Sequence, residues 1–143
     1  MSRYAAPGGQ AWVALLMRLL VGWIFLVEGI QRFLFPGAFG AGRFASLGIP
    51  WPRVAASCAG GVEVICGLLL LIGLLTRPAA CLLLLDLLAA IGLAKIPLFV
   101  HHGFWPAMQE SRVDYCMLLG LLAILTMGPG RLSCDTRRFF EGA

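Results

Sequence analysis

Three ionisable residues interrupt long apolar runs: Arg18 in "VALLMRLLVGW", Glu63 in "GGVEVICG" and Asp86 in "CLLLLDLLAA". At ~1.5 Å of rise per residue, Arg18 lies about 10 Å from the start of the first apolar helix. By the same count Glu63 lies about 13 Å into the second and Asp86 about 12 Å into the third. If these helices cross a bilayer, all three charges reach its middle zone, where each costs at least ~2.5–3.5 kcal/mol on insertion scales. They are therefore expected to face one another inside a bundle rather than lipid. One cation against two acids leaves a positive charge missing, which a protonated carboxyl, a bound proton, a cation or a polar ligand would supply. The same trio would equally serve to fasten three helices together in a medium where hydrophobicity cannot do so.

A second polar group gathers near one end of the apolar runs. Glu28 and Arg32 are spaced i, i+4 with the acid N-terminal, the favoured order for an intrahelical ion pair, and Gln31 sits beside them. The chain order brings them to the same membrane face as His101, His102, Arg112 and Asp114. Such a mouth would suit a quinone or another small amphiphile, with His101 or His102 giving a hydrogen bond. Phe33, Phe35, Phe99, Phe104 or Trp105 would supply apolar walls. Interfacial solvation with snorkelling arginines is the plainer reading of the same residues.

Other chemistry is disfavoured. Adjacent histidines do not easily converge on one ion, and neither His-x-x-x-His nor Cys-x-x-Cys occurs, so no metal site is expected. Both histidines fall in one loop, which does not suit a haem held between facing helices, and no nucleotide loop or iron–sulfur spacing is present. No cofactor is expected within the chain itself. Cys58 and Cys66 are about 12 Å apart along one helix and cannot pair. Cys58 and Cys116 come to similar depth and could meet if their helices touch, while Cys81 and Cys134 lie towards the other face.

The elements that must position these residues follow from composition. Of 143 residues, 60% are hydrophobic and only 13% charged, with a mean hydropathy of +0.90, more apolar surface than a soluble chain of this length could hide. Four apolar runs, 11–35, 54–76, 78–100 and 112–127, predict an all-α integral membrane protein, a four-helix antiparallel bundle forming one domain over 1–143. The first run is too long for the apolar region of a secretory signal and is followed by no small-residue cleavage site, so it reads as a helix. Thr76-Arg77-Pro78 is expected to be the whole connection of a tight hairpin, and "KIP" to lie near the end of the third helix. Loops 36–53 and 101–111, with aromatic residues suited to a membrane interface, would share the face opposite the termini. Basic residues divide evenly between the two faces. The termini are placed in the cytoplasm because Arg32 and Lys95 belong to helix ends rather than loops. The small residues of "AASCAGG" with Gly67 and Gly73 admit close helix packing. The net charge of +4 suits anionic lipid headgroups, and no nucleic-acid module is visible.

The order of "RLLVGWIFLVEGIQRFLFPG", "FASLGIPWP", "GGVEVICGLLLLIGLLTRPAA" and "GPGRLSCD" resembles the DoxX family of small four-helix bacterial membrane proteins, over about Arg18 to Asp135. Where that family commonly has His-Gly-x-Gln-Lys, this chain reads Glu28-Gly29-Ile30-Gln31-Arg32. The resemblance implies an inner-membrane subunit of a redox complex, more accessory than catalytic, that anchors a protein partner and shapes a quinone or proton site. A standalone small-molecule carrier or a membrane-assembly factor is the alternative.

Overall fold

The computed structural model describes residues 8–128, 130 and 133, and among these every regular element is helical. In chain order they are α1 (Gly8–Leu34), α2 (Ala41–Ser46), α3 (Pro52–Ile72), α4 (Thr76–Ala90), a π-turn (Ile91–Lys95), α5 (Ile96–His102), α6 (Phe104–Glu110) and α7 (Arg112–Met127). Three stretches are long and apolar enough to cross a membrane: Gly9–Leu34, Pro52–Ile72 and Thr76–His102. The protein is an all-α membrane protein. The fourth expected span coincides with α7, whose 16 residues rise only about 24 Å against a hydrocarbon core of roughly 30 Å.

The connections differ in part from expectation. The hairpin turn is made one step earlier than Thr76-Arg77-Pro78, because Gly73 takes φ +77° and the amides of Gly73 and Leu74 both donate to the Leu69 carbonyl, at 2.8 and 3.0 Å. Helix resumes at Thr76, leaving Arg77 and Pro78 in its first turn, where proline's missing amide costs no helical bond. "KIP" falls near the end of the third apolar stretch, as expected, and the helix runs through it. Pro97 cannot donate to the carbonyl one turn back, and the helix absorbs this by widening just before it, with the Ile96 amide bonding the Ile91 carbonyl five residues away. The supposed loops are also largely helical, since α2 occupies part of 36–53, and α5 and α6 occupy most of 101–111.

Two glycine pairs set the packing of α1 on α3. A Cβ on Gly22 would lie 3.0 Å from the Gly67 carbonyl oxygen, and one on Gly29 2.8 Å from that of Gly60. The partners move seven residues forward on α1 and seven back on α3, so the glycines fix one antiparallel register over two turns. Helix α7 packs on α1 and α4, and Val21, Phe25, Leu70, Leu83, Leu87, Met117 and Leu121 form the shared core. Outward-facing Trp12, Leu16, Trp23, Ile65, Leu85 and Leu119 make an apolar exterior that a bilayer solvates.

The start of α1, the Gly73 turn and the end of α7 lie together: Gly130 approaches Ala14, and Gly128 approaches the Arg77 guanidinium. The α2 and α6 segments meet at the other end through Arg43 and Glu110. Single cysteines at exposed Ser46 and Arg77, in a background lacking the five native cysteines, are therefore expected to react with an impermeant thiol reagent from opposite sides of the membrane. Labelling of both from one side would break this arrangement. Ser133 is too buried to serve as a probe.

Candidate functional site

A cavity of about 350 Å³ lies at the α2–α6 end of the bundle, bounded by α1, α3, α4, the π-turn and α7. Its lining contains Glu28, Glu63, Asp86, Glu110 and Asp114, which are all the acidic side chains among the described residues, together with Gln31, Arg32, Arg43 and Lys95. Phe25, Phe39, Phe44, Leu47, Ile49 and Leu87 complete it with apolar surface. Aromatic and aliphatic walls with a few convergent polar groups are the usual make-up of a small-molecule site.

Helix packing delivers the innermost charges. Gly29 lets α1 approach until a Cβ there would touch Glu63 Cβ at 3.0 Å. Arg32, nearly one turn later, then reaches across, and its Nη2 meets Glu63 Oε1 at 2.7 Å. Glu63 is 1% exposed. The Asp86 carboxyl, presented by α4, lies beside that of Glu63 within hydrogen-bonding reach, and Glu28 adds a further carboxyl nearby. Glu63 Oε2 is buried and receives no hydrogen bond from a described residue. The Arg32 guanidinium carbon also stands 5.4 Å from the centre of the Phe44 ring, a cation–π contact that ties α2 over the site.

A second chain of charges crosses the lip. Arg43 Nη2 meets Glu110 Oε1 at 3.2 Å, Lys95 Nζ meets the same oxygen at 3.4 Å, and Lys95 also meets Asp114 Oδ2 at 3.3 Å. The π-turn ends at Lys95 and so places its ammonium between α6 and α7.

The two polar groups read from the sequence are thus regrouped. Glu63 and Asp86 stay together, but Arg18 is elsewhere: its Nε donates to the Leu70 carbonyl at 3.2 Å, and its guanidinium lies beside Gly73. The register explains this, since Gly22 faces Gly67 and residue 18, one turn earlier, must face the end of α3. Arg32 instead supplies the cation at Glu63, so it pairs across helices rather than with Glu28. No ion pair within 4 Å involves Glu28 among the described residues. Of the expected mouth, Glu28, Gln31, Arg32 and Asp114 line the cavity, whereas His101, His102 and Arg112 do not. Both histidines end α5 exposed, and Arg112 Nε caps the Gln109 carbonyl at 2.8 Å. Phe33, Phe35, Phe99, Phe104 and Trp105 give way as walls to Phe25, Phe39 and Phe44.

Arg43, Lys95 and Glu110 were not legible as site residues. The only available signal was that a chain so poor in charge keeps them near the same two connections. Cys58, Cys66, Cys81 and Cys116 are unpaired thiols, Cys58 and Cys116 both exposed, and Cys134 lies outside the described residues. No group of three or more His, Cys, Asp or Glu among the described residues is arranged to hold a metal ion.

The DoxX family model matches residues 13–103, a stretch that contains the α1, α3 and α4 contributions to the cavity. The chain belongs to the DoxX family. It is 47% identical over 127 residues to an uncharacterized membrane protein, Rv3486, of Mycobacterium tuberculosis (strain ATCC 25618 / H37Rv), an alignment covering 85% of this chain and 78% of the relative. It is 32% identical over 122 residues to a protein of Bacillus subtilis (strain 168) named "Putative oxidoreductase CatD", covering 85% and 83%. It is 31% identical over 145 residues to the inner membrane protein YphA of Escherichia coli (strain K12), covering 94% and 97%. No solved structure matches. Glu28 and Arg32 of this DoxX chain both line the cavity.

Proposed function

We propose that this DoxX-family chain is an accessory subunit of a redox system in the bacterial inner membrane, with its termini in the cytoplasm. Its cavity receives the headgroup of a quinone-class amphiphile, and its apolar exterior anchors a partner chain that carries the redox centre. One observation carries this reading: every described acidic side chain and three cations converge on a single aromatic-walled cavity at one end of an otherwise apolar bundle. A lone buried ion pair would suffice to fasten helices. Five carboxyls around an open volume exceed that need, and a volume of about 350 Å³ falls at the small end of the ligand-pocket range. The name of the Bacillus subtilis relative supports the redox context. Gln31 and the lip residues, rather than His101 and His102, would orient a ring oxygen.

Extraction in mild detergent, with identification of co-eluting chains and bound lipid-soluble molecules, tests the reading. Ala59 lines the cavity from α3, and Ala59→Trp is expected to fill it and to reduce co-purifying quinone at least fivefold while the protein still elutes as a folded species. A wild-type protein that yields no quinone, or a variant that yields as much as wild type, would sink it.

A further inference from the structure

Arg32 satisfies only half of the Glu63 carboxylate. Its Nη2 holds Oε1 at 2.7 Å, while Oε2 is buried in a side chain 1% exposed, and no described N–H group or hydroxyl side chain donates to it. The group within hydrogen-bonding reach is the Asp86 carboxyl, brought up by α4. Two carboxylates have no hydrogen to share, and like charges held this close in a buried site do not both persist. A proton between them turns the repulsion into a charge-assisted O–H···O⁻ bond and meets the stranded oxygen. The surrounding charges leave that role to a proton. The cavity wall adds Glu28 from α1, Arg43 from α2, Lys95 from the π-turn, Glu110 from α6 and Asp114 from α7. Arg43 and Lys95 are engaged with Glu110 and Asp114 across the lip, so among the described residues Arg32 is the cation left to the inner carboxyls, and Glu28 only adds to the negative charge beside them.

We infer that Glu63 and Asp86 share a single proton and, with Arg32, form a charge-neutral proton-binding site in the wall of the cavity. Arg32 holds Glu63 in its charged form, so the Asp86 hydroxyl donates and Glu63 Oε2 accepts. The site depends on both acids. Without Asp86, Glu63 and Arg32 remain as a plain ion pair. Without Glu63, Arg32 is left to the Asp86 carboxyl, which its charge already reaches, and holds it as a carboxylate. Asp86 is partly exposed and lines the cavity, whereas Glu63 is closed off, so the proton exchanges with the cavity through Asp86. This is acid–base exchange in which no electrons move, and it stands independently of the quinone-class reading, because the pair holds its proton whatever else the cavity receives.

Infrared spectroscopy of the purified full chain at neutral pH, in a detergent free of ester groups, tests this through the C=O stretch of carboxylic acids, recognised by its shift to lower frequency in D2O. Wild type is expected to show an acid band that Glu63→Gln removes and that Asp86→Asn also removes, each alone causing the loss of one acid per chain, while Glu28→Gln leaves it in place. Labelling the wild type with carboxyl-13C aspartate is expected to move the same band, a readout that needs no variant to fold. A wild type without the band, a band that survives both pair variants, or a band lost in only one of them overturns the inference, the last by showing a carboxyl protonated through burial alone. A band moved by labelled glutamate and not by labelled aspartate overturns Asp86 as the donor.

Discussion

Arg32→Met is expected to cost about 3–5 kcal/mol of stability, the range for removing one partner of a buried ion pair. It leaves the Glu63 and Asp86 carboxyls side by side without the one cation among the described residues that pairs with Glu63. Thermal unfolding in a fixed detergent should show Arg32→Met well below wild type. The double variant Arg32→Met with Glu63→Gln should recover most of the loss, because the penalty comes from the stranded carboxylate and not from the missing guanidinium. The coupling in that cycle should exceed ~2 kcal/mol, while Arg18→Met combined with Glu63→Gln should be additive within ~0.5 kcal/mol, as expected of sites that share no partner. Additivity in the Arg32 cycle would show that the 2.7 Å pair carries no energy. Strong coupling between Arg18 and Glu63 would restore the trio read from the sequence and contradict the register of α1 on α3.

That contrast between Arg18 and Arg32 shows where the sequence stops informing. The residue types were legible: Glu63 and Asp86 stand out as charges inside apolar runs, and Glu28, Gln31, Arg32 and Asp114 as polar residues near one end of them. Their pairing was not. Arg18 was counted inward from one end of its helix and Glu63 from the opposite end of the next, so similar depths concealed a separation along the bundle axis. Which carbonyl a glycine touches decides that axis, and a sequence names the glycine without naming its partner. The histidines misled for a different reason: they were read as part of a loop at the mouth, whereas α5 continues through His102 and leaves both exposed. Helices as short as α2 and α6, six and seven residues long, are too brief to form on propensity alone and exist here through tertiary contacts. Those two pieces close one end of the cavity, and for that reason Arg43 and Glu110 escaped notice.

Gly29→Val should then be strongly damaging although it alters no charge. A Cβ at this position meets Val64 Cγ2 at 2.7 Å, the Gly60 carbonyl oxygen at 2.8 Å and Glu63 Cβ at 3.0 Å. The Val64 side chain can rotate away. The Gly60 carbonyl belongs to the backbone of α3 and cannot, so the two helices must separate by several tenths of an ångström, and overpacking of this kind costs ~1–3 kcal/mol. Gly61, the next residue on α3, faces open space, and Gly61→Ala should stay within ~0.5 kcal/mol of wild type. Stability alone would not distinguish a strained interface from a lost site, but the geometry adds a second expectation. Separating α1 from α3 at Gly29 stretches the Arg32–Glu63 bond a turn away, so the coupling energy of that pair, measured again in the Gly29→Val background, should fall by half or more. A destabilised Gly29→Val protein with the coupling intact would mean that Arg32 follows Glu63 by side-chain flexibility. The close approach of the helices would then be a packing feature with no hold on the cavity.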